Sequence, residues 1–348
     1  MEKKKNDFIA QGSILAIASI LVRVMGMIYR IPMTAIIGDK GNGFYSYAYS
    51  VYTILLLLSS YSLPLAVSKM VSAKAQLGQW RNVKRVFICA IAFAIGIGTT
   101  FGLIVLIGAQ FFTRVFFHSE LAAIALRFMA PTILIMALLG VFRGFFQGLQ
   151  NTLPTAVSQI VEGLINAIMS VVFAYFLFDF GHGMDAAGGT TDLGYAWGAA
   201  GGAIGTGAGA LAGLIFCFIL FVAYRKILAV NISRDKTGTQ QEYGDIFRLM
   251  LSIALPVILS TALYNLIELV DGSLFNNIMA SKGMEDVKDS MWGAYNAKAL
   301  LLVHIPVSIS SAMAVSLVPT LTAAYALGDE QTAKSKVHAI LRFISILA

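Results

Sequence analysis

The sequence predicts an all-α polytopic membrane protein: two parallel six-helix lobes around a central cavity, with the second lobe only begun in this chain. Three observations predict it. Of 348 residues, 58% are hydrophobic and only 12% charged, whereas soluble domains carry about 25% charged residues. Apolar stretches recur at the roughly 20-residue length that spans a bilayer. A segment of the first half also returns in the second. The same composition excludes a cytosolic enzyme, a disordered regulator and a disulfide-stapled secreted domain. Cys89 and Cys217 each lie within a long apolar run, where a buried thiol packs as a small hydrophobe. The net charge of +7 comes without aromatic-interleaved basic motifs. Basic loops of a membrane protein account for it, and no nucleic-acid partner is expected.

The spans follow in order. Span 1 (8–37) comes after Lys3, Lys4 and Lys5 and is too long and too charged for a signal peptide, since it holds Arg23 and Arg30. Arg23 lies roughly 22 Å in from Phe8, near mid-membrane, and Arg30 two turns on shares its face. Buried arginines face a bundle interior or a wet cavity. The pair reads either as a cationic wall for an anionic substrate or as structural ion pairs, with Arg30 snorkelling outward. Span 2 (44–73) contains Pro64 and runs into Lys74, Arg81, Lys84 and Arg85. Span 3 (86–110) leads to Arg114. Span 4 (121–146) carries Pro131, with Arg127 and Arg143 towards opposite ends, where snorkelling is cheap.

Span 5 (154–178) holds Glu162, about 12 Å in from its start. Arg143 or Arg23 is the expected partner, and a structural pair is the favoured reading over a coupling role. The loop 179–195 is acidic, with Asp179, Asp185 and Asp192 and no Lys or Arg. Span 6 (196–224) carries Gly201, Gly205, Gly209 and Gly213, a small-residue stripe suited to close helix packing. Span 7 (246–279) holds Pro256 and then Asn265, Glu268 and Asp271, read as one polar stripe. Span 8 (293–327) holds Lys298, His304, Pro306 and Pro319. Asp271 and Lys298 reach similar depth, so they either pair or serve as a cation or proton site and a substrate-facing cation. His304 is read as a packing residue. A ninth run opens at Val337, and the expectation is that the chain is the front of a longer transporter-like protein.

Basic residues concentrate in alternate loops, including Arg225, Lys226, Arg234, Lys236, Lys334 and Lys336, which predicts a cytoplasmic N-terminus. Laid over one another with Gly43 against Gly293, segments 43–84 and 293–334 also match at Tyr45/Tyr295, Ser60/Ser310, Ala73/Ala323, Leu77/Leu327, Gly78/Gly328 and Lys84/Lys334. Span 2 then corresponds to span 8, giving a parallel repeat: residues 1–240 as the first lobe with spans 1–6, and 241–348 as the start of the second. Repeated lobes around a midplane site are common among secondary transporters. No P-loop, His/Cys metal spacing or Gly-x-Ser-x-Gly occurs, so neither an enzyme nor a metal or organic cofactor is expected.

Particular runs carry a family resemblance. Ile28-Tyr-Arg-Ile-Pro32, Ile37-Gly38 and Gly43-Phe-Tyr45 resemble the opening of the MurJ-like and stage V sporulation protein B-like polysaccharide flippases. So do Phe142-Arg-Gly-Phe-Phe-Gln-Gly148 with Asn151 to Glu162, the most specific block, and Leu269-Val-Asp271, Tyr295-Asn-Ala-Lys298 and Ala314 to Pro319. These proteins belong to the multidrug/oligosaccharidyl-lipid/polysaccharide exporter superfamily. The resemblance implies a monomeric flippase of the bacterial plasma membrane that moves an undecaprenyl-diphosphate-linked sugar, lipid II first among them, by alternating access. It implies substrate binding by Arg23, Arg30 and Lys298. It further implies coupling to a monovalent cation, Na+ or H+, at Asp271; the residues themselves add Glu268 as a second ion-coupling candidate and Glu162 with Arg143 as a structural or coupling pair. Leu55 to Leu58 stand where MurJ-type members carry a cavity arginine, which places the chain nearer the sporulation branch. The alternatives are a multidrug/cation antiporter of the same superfamily and a non-transporting partner of cell-envelope synthesis.

Overall fold

The computed structural model describes the backbone of residues 2–188, 192–300, 303 and 330–347, which form helices and their short connections with no strand among them. His304, Pro306, Pro319 and most of the expected eighth span lie outside the described residues. The first expected span and the opening of the second form one element, α1 (Glu2–Leu56), broken at Gly38 with φ 63° and ψ −176°. A positive φ suits glycine, and here the chain folds back on itself, so that Met33 packs in one cluster with Tyr45. The return limb passes through a π-helical turn, Leu57–Tyr61, into α2 (Leu63–Gln76), with Pro64 in its first turn where no intrahelical donor is needed. Gly78 at φ 69° ends α2, and Gln79 N–H bonds back to the Lys74 carbonyl at 2.9 Å.

Then follow α3 (Trp80–Phe117), α4 (Ala122–Gly148), α5 (Leu153–Gly188), α6 (Leu193–Ser233) and α7 (Tyr243–Ser281). A short α8 (Glu285–Ala294) runs straight into a second π-helical turn, Tyr295–Ala299, and α9 spans Glu330–Leu347. Among the described residues, Ile17–Gln76 and the helices α3 to α6 are long and apolar enough to cross a membrane. Their outward faces remain apolar: Ile107 is 80% exposed, with Phe111, Phe176 and Ile219 each above 60%. Such faces need lipid around them. The expected acidic loop after span 5 is largely helix, because α5 runs on to Gly188. Its Asp185 is buried and accepts the N–H groups of Leu193 and Gly194, both at 2.9 Å, capping α6.

Small residues set the closest helix contacts. A Cβ at Gly201, Gly205 or Gly209 would overlap α5 at Ala174, Ser170 or Glu162, which is the packing role read from the glycine stripe. Gly144 and Gly148 press α4 onto Pro64, Val67 and Val71 of α2. Around them Phe87, Phe142, Phe145 and Phe221 form one aromatic cluster. Arg143 leaves this block inward: its Nε donates to Ser158 Oγ at 2.8 Å and its Nη2 to Glu162 Oε2 at 2.6 Å. The family-resembling block is therefore a clamp between α4 and α5.

The segment joining α6 to α7 is strapped to the start of α3. Buried Asn82 bonds both the Thr239 carbonyl (3.1 Å) and the Gln241 N–H (3.0 Å). Arg85 donates to the Gln241 carbonyl and Gln240, and its guanidinium lies 5.2 Å from the Tyr243 ring. Asp235 accepts the Arg81 N–H, the Thr237 hydroxyl and the Thr237 N–H, and these bonds pull its carboxyl pKa down to about 2.

Candidate functional site

A cavity of about 170 Å³ lies between the two limbs of α1, α7 and the π-helical turn after α8. The first limb contributes Tyr29, Arg30 and Met33. The return limb contributes Asn42, Tyr45, Ser46 and Tyr49 at i, i+3, i+4 and i+7, the spacing of one helix face. Glu268 comes from α7, and Asn296, Ala297 and Leu300 close the wall.

Helix geometry explains which charged residues arrive. The exposed apolar stripe of the first limb is Ile17, Leu21, Val24, Ile28 and Ile31. At about 100° per residue, Arg23 and Arg30 lie about 120–140° round from it, on the side away from lipid. Arg30 reaches the cavity; Arg23, two turns nearer the N-terminus, is on the same face, exposed, and outside the lining. On α7 the exposed stripe is Leu259, Leu266, Val270 and Leu274. Each three-residue step from Asn265 to Glu268 to Asp271 turns back by about 60°, so the polar stripe slants across about 120° of the helix. Glu268 falls opposite the apolar face and into the cavity, and Asp271 falls on the flank, exposed.

Lys298 finds a partner other than the one the sequence suggested. Rather than meeting Asp271, its Nζ lies 2.7 Å from Asp39 Oδ2 at the Gly38 end of the return limb, outside the cavity lining. Arg143 and Glu162 form their pair within the α4–α5 clamp, and neither lines the cavity. The structure thus brings Arg30 and Glu268 into one site and leaves Arg23, Lys298, Asp271, Arg143 and Glu162 outside its wall.

Much of that wall was missed by sequence reasoning. Tyr45 and Tyr49 stack nearly parallel with ring centres 5.8 Å apart, and Tyr49 is 36% exposed. The Tyr45 hydroxyl lies 3.4 Å from Thr206 Oγ1 on α6. Polar side chains on the return limb bond mainly along their own helix: Asn42 Nδ2 to the Gly38 carbonyl (2.8 Å), Ser46 Oγ to the Asn42 carbonyl (2.8 Å) and Ser50 Oγ to the Ser46 carbonyl (3.0 Å). Ser50 Oγ is also 3.5 Å from Glu268 Oε1, and Asn296 Nδ2 donates to the Trp292 carbonyl at 3.0 Å.

Towards the Gly38 end, next to Asn42 and Asn296 of the cavity wall, two helices cross closely. A Cβ on Gly43 would overlap the Asp289 carbonyl, and a Cβ on Gly293 would overlap the Asp39 carbonyl. Around it Tyr47 stacks on Phe117 (4.7 Å) and donates to Asn276 Oδ1 (3.0 Å), while Trp292 packs against Phe275 (5.2 Å). Lys288 caps the C-terminus of α3 through the carbonyls of Phe117 and His118. The sequence held a signal for this: the register that pairs Gly43 with Gly293 also pairs Asp39 with Asp289, four residues before the segment compared.

With this geometry in view, the comparisons with known proteins converge. The family described as polysaccharide biosynthesis protein matches residues 8–324. Over 345 residues the chain is 25% identical to the lipid II flippase MurJ of Bacillus subtilis (strain 168), covering 96% of this chain and 61% of that protein. To the stage V sporulation protein B of the same organism it is 25% identical over 323 residues, covering 91% and 58%. The chain therefore spans about three-fifths of the length of these relatives. An inward-facing multidrug resistance MATE family transporter of the MOP superfamily shares the fold at a TM-score of 0.64 and 14% identity, over 95% of this chain and 71% of that one. MATE in the straight conformation gives 0.61 and 14%, over 99% and 70%. At such identities the likeness is one of architecture.

Proposed function

The chain belongs to the polysaccharide biosynthesis protein family, and on that premise we propose that it is a flippase rather than an enzyme. Its cargo is an undecaprenyl-diphosphate-linked sugar, lipid II in the first instance, carried from the inner to the outer leaflet of a bacterial plasma membrane. The N-terminus is cytoplasmic, so the Gly38 end faces outward. The observation that carries the reading is the cavity between α1 and α7/α8, with Arg30 in its wall beside a bilayer-spanning bundle.

Arg30 pairs with the diphosphate, since guanidinium meets phosphate oxygens in a bidentate fork. Arg23, on the same face and two turns nearer the cytoplasm, receives the anion first. Lys298 joins only after its pair with Asp39 parts. Residues 1–240 rock as one lobe against a second that begins at 241, and opening of the Gly43/Gly293 crossing releases cargo outward. Glu268, the carboxylate that lines the cavity, takes the coupling Na+ or H+, ahead of Asp271. The protein works as a monomer.

The test is complementation of cells depleted of their lipid II flippase by the gene encoding this protein, with Arg30 intact or changed to Ala at equal expression, reading lipid II exposure at the cell surface. Rescue lost with Arg30→Ala supports the assignment; equal rescue by both refutes the role of Arg30. Rescue by neither moves the cargo to another lipid-linked glycan. Glu268 beside three tyrosines favours one second reading, a cation antiporter, and efflux of a lipophilic cation by the same cells would establish it.

A further inference from the structure

Resting on the flippase reading for its outward-opening step alone, we propose that Asp289 is a proton latch of the Gly43/Gly293 crossing, a neutral acid while the two lobes touch there and a carboxylate once they part.

The place of Asp289 in the crossing comes first. It lies on α8, ahead of the expected eighth span, and its own carbonyl is what a Cβ on Gly43 would overlap. The residue is 8% exposed, and its carboxyl Oδ1 is buried without a hydrogen-bond partner. The cations nearby are held elsewhere. Lys288 Nζ donates to the Phe117 and His118 carbonyls, Lys40 pairs with Asp192 at 2.8 Å, and Lys298 pairs with Asp39 at 2.7 Å. An ionised carboxylate shut in here has no ion-pair partner among the described residues. A buried charge in that position is costly, and the group neutralises instead by taking a proton.

The neighbouring hydrogen bonds agree. Asn276 on α7 is fully buried; its Nδ2 donates to the Gly272 carbonyl at 2.8 Å, which leaves its Oδ1 to accept the Tyr47 hydroxyl at 3.0 Å. Tyr47, beside the Asp289 carboxyl, has thereby committed its only hydroxyl proton and turns lone pairs towards Asp289. Lone pairs suit a carboxylic acid, which can donate, and disfavour a carboxylate, which cannot. Burial pushes the Asp289 carboxyl up, with the Asp192 charge adding to it and Lys288 and Lys40 opposing it.

Tyr47 belongs to the first lobe, and Asp289 and Asn276 to the second. Parting the crossing breaks this chain and lets water reach the acid, whose pKa falls back towards about 3.9. The closed form holds one proton more than the open form, so an acidic exterior holds the crossing shut and a neutral one lets it open. The proton returns to the side it came from. The latch therefore senses outer pH and carries no net proton across the membrane.

Spin labels on Met184→Cys, near the outer end of α5, and on Met284→Cys, just before α8, report the distance across the crossing; both methionines are exposed, and Cys89 and Cys217 are buried. The protein is measured in lipid nanodiscs from about pH 5 to about pH 8, and the open-to-closed ratio is expected to rise by up to about tenfold per pH unit, the limit for one proton. Asp289→Asn, neutral at every pH and able to donate to Tyr47, is expected to hold the short distance throughout. Where that variant lacks a wild-type melting profile, the wild type alone gives the second reading, a protonated-carboxyl infrared band that fades in step with the distance change. Histidines titrate over the same range, so His118→Gln is measured too. A wild-type distance that ignores pH, an infrared band that does not follow it, a response that Asp289→Asn keeps, or one that His118→Gln removes overturns the latch. Rescue of flippase-depleted cells is read apart from these. Rescue with a crossing blind to pH overturns the latch alone; a pH-driven crossing without rescue moves the cargo elsewhere and keeps the latch.

Discussion

Replacing Arg143 should unfold the protein before it affects the cargo. The Arg143 side chain is 11% exposed, and its guanidinium holds Glu162 at 2.6 Å and Ser158 at 2.8 Å. Removing one partner of a buried pair costs about 3–5 kcal/mol, because the other charge is left uncompensated. The Glu162 side chain keeps 25% of its exposure, which puts Arg143→Met at the low end, about 3 kcal/mol, or roughly two orders of magnitude in the unfolding equilibrium. A neutral hydrogen bond between membrane helices averages only about 0.6 kcal/mol, so the measurement separates the two descriptions. SDS-driven unfolding in mixed micelles, followed by tryptophan fluorescence, gives the free energies. The double variant Arg143→Met/Glu162→Met, of similar volume and without charge, should recover at least half of the loss. A single-variant loss near 0.6 kcal/mol, or losses that simply add in the double variant, would refute the account of a charge clamp. Because neither residue lines the cavity, the folded fraction of Arg143→Met should bind any ligand of the cavity as the wild type does.

Three other substitutions probe the frame. The Asp235 carboxyl is held down to about 2, below the ordinary value of about 3.9; a depressed carboxyl contributes stability above the unfolded pKa and loses it as pH falls through the folded one. The melting temperature should therefore drop between pH 4 and pH 2, and Asp235→Asn should flatten part of that slope; an unchanged slope would mean the strap contributes nothing. Gly144→Ala brings a Cβ to 2.7 Å from the Pro64 carbonyl oxygen and should cost about 1–3 kcal/mol. Gly96→Ala meets nothing within 4 Å and should gain up to about 1 kcal/mol from helix propensity; equal effects in the same unfolding assay would count against the packing argument.

The membrane architecture was legible because apolar length is a property of composition, and the glycine stripe of α6 and the Arg143–Glu162 pair because both follow from one helix meeting its sequence neighbour. The site was legible only in part. Arg30 and Glu268 could be picked as costly intramembrane charges, but their convergence depends on the reversal at Gly38, where a single residue replaces the loop the span boundaries suggested. Asp271 was grouped with Glu268 because three-residue neighbours share a helix side, but only Glu268 lies squarely enough opposite the apolar face to reach the cavity. The tyrosines carried no signal of their own, since aromatic residues in an apolar run usually pack. Lys298 was paired by depth, a coordinate that says nothing of azimuth, and Asp39 was passed over as loop.

The contact at Gly43 and Gly293 is reciprocal: the turn of each helix touches the glycine of the other, Asp289 upon Gly43 and Asp39 upon Gly293. A homodimer makes this kind of contact about its two-fold axis, and here one chain makes it with itself. The two positions are thus bound to each other in mutation. A side chain gained at either glycine has no room unless the opposite turn withdraws, so neither site is free to drift alone, and a directed-evolution library randomised at both should return its survivors as matched pairs.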